Sequence, residues 1–414
     1  MKPYYEDDAV QIYHADCREL SFEGISAVVT DPPYHLVRIS ERFGAKDAHN
    51  TPAMDTPEGS VWARKARGFM GKEWDGTGVS FQPDTWASIR GWCKSGAMLM
   101  AFGGTRTSHR IACAIEDAGW EIRDTIAWVY GSGFPKSLDI GKAVGTSVWE
   151  GYGTALKPAY EPITLAMNPI DGTFANNALT HGVAGLNIDG ARIPTEDNLN
   201  GGGYTPRKRG NAWAETKGMN AEGRCAVTPF VQPKGRFPAN FIHDGSQMVM
   251  ELFPNSKDGV AVGGYRTASS IYGNFMGRKA DAPNIGYGSS GSAARFFYCA
   301  KASKAERNKG CEELEERQYS HDGRVKPIEN ACQRNNSVTT NNHPTVKPLA
   351  LMEYLVKLVM MPEYNLIIDP FCGSGTTLLA CIKLGIPCIG IDSDEQSCEI
   401  AAKRMAQTVM ELGV

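Results

Sequence analysis

Two short apolar runs, Ala27-Val28-Val29-Thr30 and Leu366-Ile367-Ile368, each end in an aspartate followed by proline. The first continues as Asp31-Pro32-Pro33-Tyr34, the second as Asp369-Pro370-Phe371-Cys372-Gly373-Ser374-Gly375. A brief apolar run bounded by turn formers reads as a buried strand. Both aspartates therefore stand at strand ends, where open α/β sheets place their ligands. At 414 residues and 42% hydrophobic, the chain is long enough for one large core with an insert, or for two domains.

The signals between these words alternate. Residues 10–13, 27–30 and 97–102 read as strands, and 108–118 as a helix, because Ile111, Ala112, Ile115 and Ala118 recur at 3.6-type spacing. Gly119 stops that helix, and residues 122–129 resume strand character. This is an α/β pattern. Residues 40–80 lack periodicity and read as a long mobile loop, a length often used for functional lids. From about 195 to 290 the composition shifts to Gly, Ser, Asn, Thr and isolated aromatics, with 245–252 as a short helix. Strong α/β character returns from His343 onward. The expected organisation is a body over 1–194, an insert over 195–290, and the rest of the body over 291–414.

A net charge of −3 hides an uneven distribution. Residues 200–310 carry sixteen basic and seven acidic side chains, a local charge of +9, which leaves −12 on the remainder. A basic segment on an acidic body points to phosphate contact. The first residues have neither a basic n-region nor an apolar h-region, and no run of about 18 apolar residues occurs. Neither secretion nor a membrane anchor is implied, so a cytoplasmic location is expected. The 11 cysteines are scattered from Cys17 to Cys398 without a Cys-x-x-Cys pair, and read as reduced thiols with no metal site.

The C-terminal word has a direct physical reading. Gly373 and Gly375 allow a tight turn and close approach to a ligand, and Thr376-Thr377 opens a helix reaching about residue 384. The next strand, 387–391, ends in Asp392, where a carboxylate can accept hydrogen bonds from two ribose hydroxyls. The third glycine of a dinucleotide fingerprint and the Lys-Ser/Thr of a phosphate loop are both missing.

Four words in order, Asp31-Pro32-Pro33-Tyr34, His343-Pro344-Thr345-Val346-Lys347-Pro348, Asp369 to Gly375, and Gly390-Ile391-Asp392, make the chain resemble the S-adenosylmethionine-dependent amino-methyltransferases of DNA. The resemblance is to the permuted group, in which the catalytic word precedes the cofactor word. It implies a Rossmann-like methyltransferase sheet, mostly parallel and doubly wound, with an inserted loop-rich target-recognition region. It further implies that Asp369, Phe371, Cys372, Gly373 and Gly375 form the cofactor turn, that Asp392 holds the ribose, and that Thr345 and Lys347 meet the methionine carboxylate. Asp16 and Cys17 resemble the family's early acidic position beside the adenine.

The resemblance assigns catalysis to Asp31, Pro32, Pro33 and Tyr34. An aromatic amine donates its lone pair into the ring, so it must be drawn toward tetrahedral geometry. An ionised Asp31 and the Pro32 carbonyl would accept its two hydrogens. Pro33 stiffens the turn, and Tyr34 offers a face for an extruded base. Trp128 would cover the other face, while Lys157 and Glu161 read as a surface pair. A rival route through a thiolate is disfavoured, because Cys388 reads as the interior of a strand. The expected partner is double-stranded DNA, contacted by Arg207, Arg209, Arg224, Arg236, Arg266 and Arg278 of the insert. The target favoured by Asp at the first motif position is N6 of adenine. N4 of cytosine, a protein or RNA amine, and an inactive DNA-binding module are the alternatives. The resemblance suggests a bacterial or bacteriophage setting and leaves room for a homodimer and a cognate restriction endonuclease.

Overall fold

The computed structural model describes residues 1–35, 78–133, 137–197, 199, 232–257, 290–300, 317–319, 325–326, 338–339 and 346–412. Its elements are β1 (Tyr5–Glu6), β2 (Val10–His14), β3 (Ile25–Thr30), α1 (Pro83–Trp92), β4 (Cys93–Phe102), α2 (Ser108–Asp117), β5 (Glu121–Val129), α3 (Ile140–Val144), β6 (Tyr160–Met167) and α4 (Phe174–His181). There follow β7 (Phe241–His243), α5 (Gln247–Met250), β8 (Asn255–Lys257), β9 (Ser290–Ser292), β10 (Tyr298–Cys299), β11 (Arg317–Tyr319), β12 (Val325–Lys326) and β13 (Val338–Thr339). The last are α6 (Leu349–Val359), β14 (Ile367–Asp369), α7 (Thr376–Lys383), β15 (Cys388–Asp392) and α8 (Glu395–Leu412). Most of the loop expected over 40–80 lies outside the described residues.

The main sheet runs β1-β2-β15-β14-β3-β4-β6-β5-β7-β10. From β2 to β4 every pairing is parallel, whereas β6 is antiparallel to both β4 and β5. This is a Rossmann-like α/β sheet with helices on both faces. On one face, alternate residues such as Leu99 and Ala101, or Ile389 and Ile391, pack with Trp86, Ile89, Ile111 and Ile115 of α1 and α2. On the other, α7 comes so close that a Cβ added at Gly390 would lie 2.7 Å from Leu378 Cδ1. Only glycine permits that approach without a shift of Leu378.

The two apolar runs lie side by side at the centre, with Ile367 opposite Ala27 and Ile368 opposite Val28. From β14 the chain passes through α7 to β15 on one side, while β3 is followed by β4 on the other. The crevice at the carboxyl ends of β14 and β3 is thus a topological switch point.

The chain forms two compact units. One comprises Met1–Ala191, Asn240–Val249 and Cys299–Val414, the other Arg192–Ala239 and Met250–Tyr298. Residues 240–249, which composition groups with the insert, join the first unit because β7 pairs in parallel with β5, Phe241 opposite Ala127 and His243 opposite Val129. The helix expected over 245–252 is only the short α5. In the second unit β8 and β9 pair antiparallel, and the Arg295 guanidinium donates to the Gly291 carbonyl at 2.7 Å. Among the described residues no helix is long and apolar enough to cross a membrane.

Candidate active site

A cleft of about 390 Å³ opens at the switch point. Asp31, Pro32, Pro33 and Tyr34 enter it from the turn after β3, and Asp369, Phe371, Cys372 and Gly373 from the turn after β14. Asp392 reaches it from the tip of β15, and Lys347 from the segment ahead of α6. Residues from three distant parts of the chain are thereby brought to one cavity. Tyr130 and Glu161 also line it, which the sequence reading does not foresee. Because β6 is antiparallel, its first residues stand at the same end of the sheet as the last residues of β5.

Asp369 underpins the turn. Its Oδ1 accepts the Thr30 hydroxyl at 2.6 Å and the Phe371 N–H at 3.1 Å, and its Oδ2 accepts the Thr377 hydroxyl. Burial pushes its carboxyl up to about 7, against these hydrogen bonds, which favour the charged form. Asp392 accepts the Gly373 N–H on Oδ2 and the Asp394 N–H on Oδ1, both at 2.8 Å. Burial pushes its carboxyl up to about 6, again opposed by those two backbone donors. A carboxylate offers roughly four lone-pair sites, so both oxygens retain capacity for hydroxyl groups.

Across the cleft, Asp31 accepts the Tyr34 hydroxyl on Oδ1 at 2.7 Å and the Lys347 ammonium on Oδ2. Glu161 lies 3.4 Å from Lys347 and 3.2 Å from the Tyr34 hydroxyl. Burial alone would lower the Lys347 pKa, but Asp31 and Glu161 outweigh it and hold the ammonium above its ordinary value. The sequence reading pairs Glu161 with Lys157. In the structure Lys157 instead donates to the Gly131 carbonyl at 2.7 Å, because Glu161 points into the cleft toward Lys347.

Several expected site residues stand elsewhere. Asp16 binds the Arg18 guanidinium at 2.6 Å and caps the following turn, and Cys17 is buried in the core. Neither lines the cleft. Gly375, between the lining residues Ser374 and Thr376, caps α7 with φ +76°, and a Cβ there would meet Ala401 Cβ at 3.0 Å. Trp128 is buried with its ring 5.0 Å from that of Tyr130, and Tyr130 faces the cleft in its place. Arg236 is engaged inside the second unit by Asp197 and by the Phe296 ring, 4.5 Å from its Cζ. Thr345, Arg207, Arg209, Arg224, Arg266 and Arg278 lie outside the described residues.

The strand order and the switch-point cleft define a Rossmann-like α/β protein. A family model described as DNA methylase, of the N6/N4 methyltransferases, matches residues 25–403, and the chain belongs to this family. It is 25% identical over 205 residues to the Type II methyltransferase M.HindIII of Haemophilus influenzae, a match covering 42% of this chain and 64% of that protein. It is 44% identical over 63 residues to the Type II methyltransferase M2.LlaDCHI of Lactococcus lactis subsp. cremoris, covering 15% and 23%. The chain spans less than two thirds of the length of these curated relatives. A similar solved structure is the PvuII DNA methyltransferase (cytosine-N4-specific), with 11% identity, 99% of this chain and 93% of that chain covered, and a TM-score of 0.43. The M1.HpyAVI–SAM complex gives 15%, 95%, 98% and 0.34 in the same terms.

Proposed function

We propose that this chain transfers a methyl group from S-adenosylmethionine to the exocyclic amine of a base in double-stranded DNA, N6 of adenine in particular. One observation carries the reading: Asp31 and Pro32 face the same cleft as the Gly373 turn and Asp392. This supports a reading in which an amine acceptor and a nucleoside cradle share one cavity.

The residues present fit the cofactor. Asp392 keeps acceptor capacity for ribose hydroxyls, and Phe371 supplies an apolar wall. Lys347 is a cation within the same cavity for a carboxylate. When bound, the cofactor supplies an electrophilic methyl group on a sulfonium. Asp31 and the Pro32 carbonyl would accept the two amine hydrogens and hold the nitrogen lone pair out of conjugation with the ring. Tyr34 and Tyr130, which both line the cleft, would offer ring faces to a base turned out of the duplex, since the amine is inaccessible to this geometry within the stack.

Asp rather than Ser at position 31 supports adenine over cytosine. The basic stretch between residues 200 and 310 supports DNA as the partner, with Arg207, Arg209, Arg224, Arg266 and Arg278 as phosphate or base contacts. The relatives named Type II methyltransferases support a companion restriction endonuclease. Expression in bacteria lacking DNA methylation, followed by nucleoside analysis of the digested DNA, tests the reading. N6-methyladenine is expected. N4-methylcytosine alone would reassign the base, and unmodified DNA would overturn the function.

A further inference from the structure

Asp31 is already occupied in this structure. Tyr34 donates to one of its oxygens at 2.7 Å and Lys347 to the other. Each Asp31 oxygen keeps a lone pair, but the ammonium neutralises the carboxylate and weakens it as an acceptor, so Asp31 draws most strongly on an incoming amine once Lys347 and Tyr34 have shifted. Neither can simply retreat into water. The Lys347 side chain is only 7% exposed, and a buried ammonium left without a partner is strongly destabilising.

Both donors have a second acceptor, and it is the same residue. Glu161 Oε2 lies 3.2 Å from the Tyr34 hydroxyl and 3.4 Å from Lys347 Nζ. A hydroxyl carries one proton, so Tyr34 serves either Asp31 or Glu161 at any moment. The position of Glu161 is fixed by its strand. It stands opposite Trp128 in the β5–β6 pairing, and the next residue, Pro162, accepts the Gly103 N–H at 2.9 Å. Its side chain is 21% exposed, so the charge is partly desolvated inside the cleft, where the Tyr130 hydroxyl also hydrogen-bonds to it. Transfer of Lys347 and Tyr34 between the two carboxylates needs only a short displacement. It leaves the net charge of the cluster unchanged.

We propose that Glu161 is a positioning residue for methyl transfer, which takes Lys347 and Tyr34 over from Asp31 as the target amine enters. The proposal rests on the reading of Asp31 as acceptor for that amine. Glu161 itself touches neither the amine nor the methyl group. Its effect passes mainly through Lys347, the charged one of the two donors.

Glu161→Gln keeps the shape and removes the charge. With tritiated S-adenosylmethionine at saturation and unmethylated bacterial chromosomal DNA, it is expected to lower the single-turnover rate at least about tenfold. Cofactor Kd, read by calorimetry, is expected to stay within about threefold of wild type. In a Lys347→Met background the same substitution is expected to cost less than about threefold, because no ammonium remains to be moved. An unchanged rate for Glu161→Gln, or an equal loss in both backgrounds, would overturn the proposal. Glu161→Asp retains the charge and is expected to regain most of the rate, and melting curves of all variants are recorded alongside. Failure of Glu161→Asp to exceed Glu161→Gln would also overturn it. Equal transfer by wild type and Asp31→Ala would instead sink the underlying reading of Asp31, whatever Glu161 does.

Discussion

Thr30 donates its hydroxyl to Asp369 across 2.6 Å, although 339 positions of chain separate them. Each closes one of the two central strands, and each directly precedes or begins one of the two functional turns. The bond therefore fixes the spacing of the Asp31 turn against the Phe371–Gly373 turn. Thr30→Val removes a donor from a fully buried carboxyl and is expected to cost about 1–3 kcal/mol. Urea unfolding at neutral pH measures it, and a midpoint unchanged from wild type would show that the contact contributes nothing.

Asp369 also makes stability depend on pH. Its folded carboxyl titrates at about 7, whereas in an unfolded chain it ionises near ~4. Between those values the folded state holds the extra proton. The stability this group contributes is complete below pH ~4 and is lost as the pH rises through 7. Asp369→Asn cannot ionise, so its Tm should gain on wild type from pH 5 to pH 8. Parallel curves over that range would contradict the burial argument.

Asp392 yields a binding prediction of the opposite sense. Burial places its carboxyl at about 6, so the charged acceptor is present above that pH and is lost below it. Cofactor affinity is expected to weaken as the pH falls through 6. Asp392→Asn should bind about tenfold more weakly at pH 7.5, the difference between a charged and a neutral hydrogen bond, and should lose that pH dependence. Isothermal titration with S-adenosylmethionine at pH 5.5 and 7.5 reads both effects.

Asp31→Ala is expected to reduce methyl transfer to DNA by about a hundredfold or more, the scale of losing an oriented polar partner of a reacting group. Cofactor binding should persist, since Asp392 and the Gly373 turn are untouched. Labelled transfer and calorimetry together separate the two steps. Loss of cofactor binding with the same variant would place Asp31 in the cradle instead.

Gly375→Ala addresses a residue that the geometry ties to helix packing. A left-handed φ of +76° and a Cβ 3.0 Å from Ala401 both oppose a side chain. The positive φ alone costs roughly 1–2 kcal/mol. Chemical unfolding should show at least that loss, while the folded protein binds the cofactor as before. A selective loss of binding at full stability would return Gly375 to the cofactor turn.

Much of the sheet was legible because parallel strands covered on both faces carry their own signature. Ala27 to Thr30 and Leu366 to Ile368 are apolar without alternation, and Ile111 and Ile115 repeat at helical spacing on α2. The Asp-Pro and Gly-x-Gly words then marked strand ends at Asp31, Phe371 and Gly373, the tip of the next strand marked Asp392, and only the resemblance carried by His343 to Pro348 pointed to Lys347, all of which line one cleft. What escaped was set by partners remote in the chain. Glu161 gave no sign of its orientation, because an antiparallel strand start next to Lys157 reads as surface until Lys347 arrives from 186 positions away. Tyr130 was passed over for Trp128, since the larger ring is the stronger sequence signal yet packs inward. The β7 strand was lost within glycine-rich composition, as three residues are too few to show a period.

The pairing of β3 with β14 has a consequence for synthesis. A ribosome adding ~5–20 residues per second leaves β3 waiting on the order of 20–70 s before its central neighbour exists. Throughout that interval the strand that carries the Asp31 turn has one ladder edge without its native partner. A truncated translation product carries the Asp31 turn without the Phe371–Gly373 turn, so half-made chains lack one side of the cleft. Their unpaired central edge is the kind of surface that makes incomplete chains prone to aggregate.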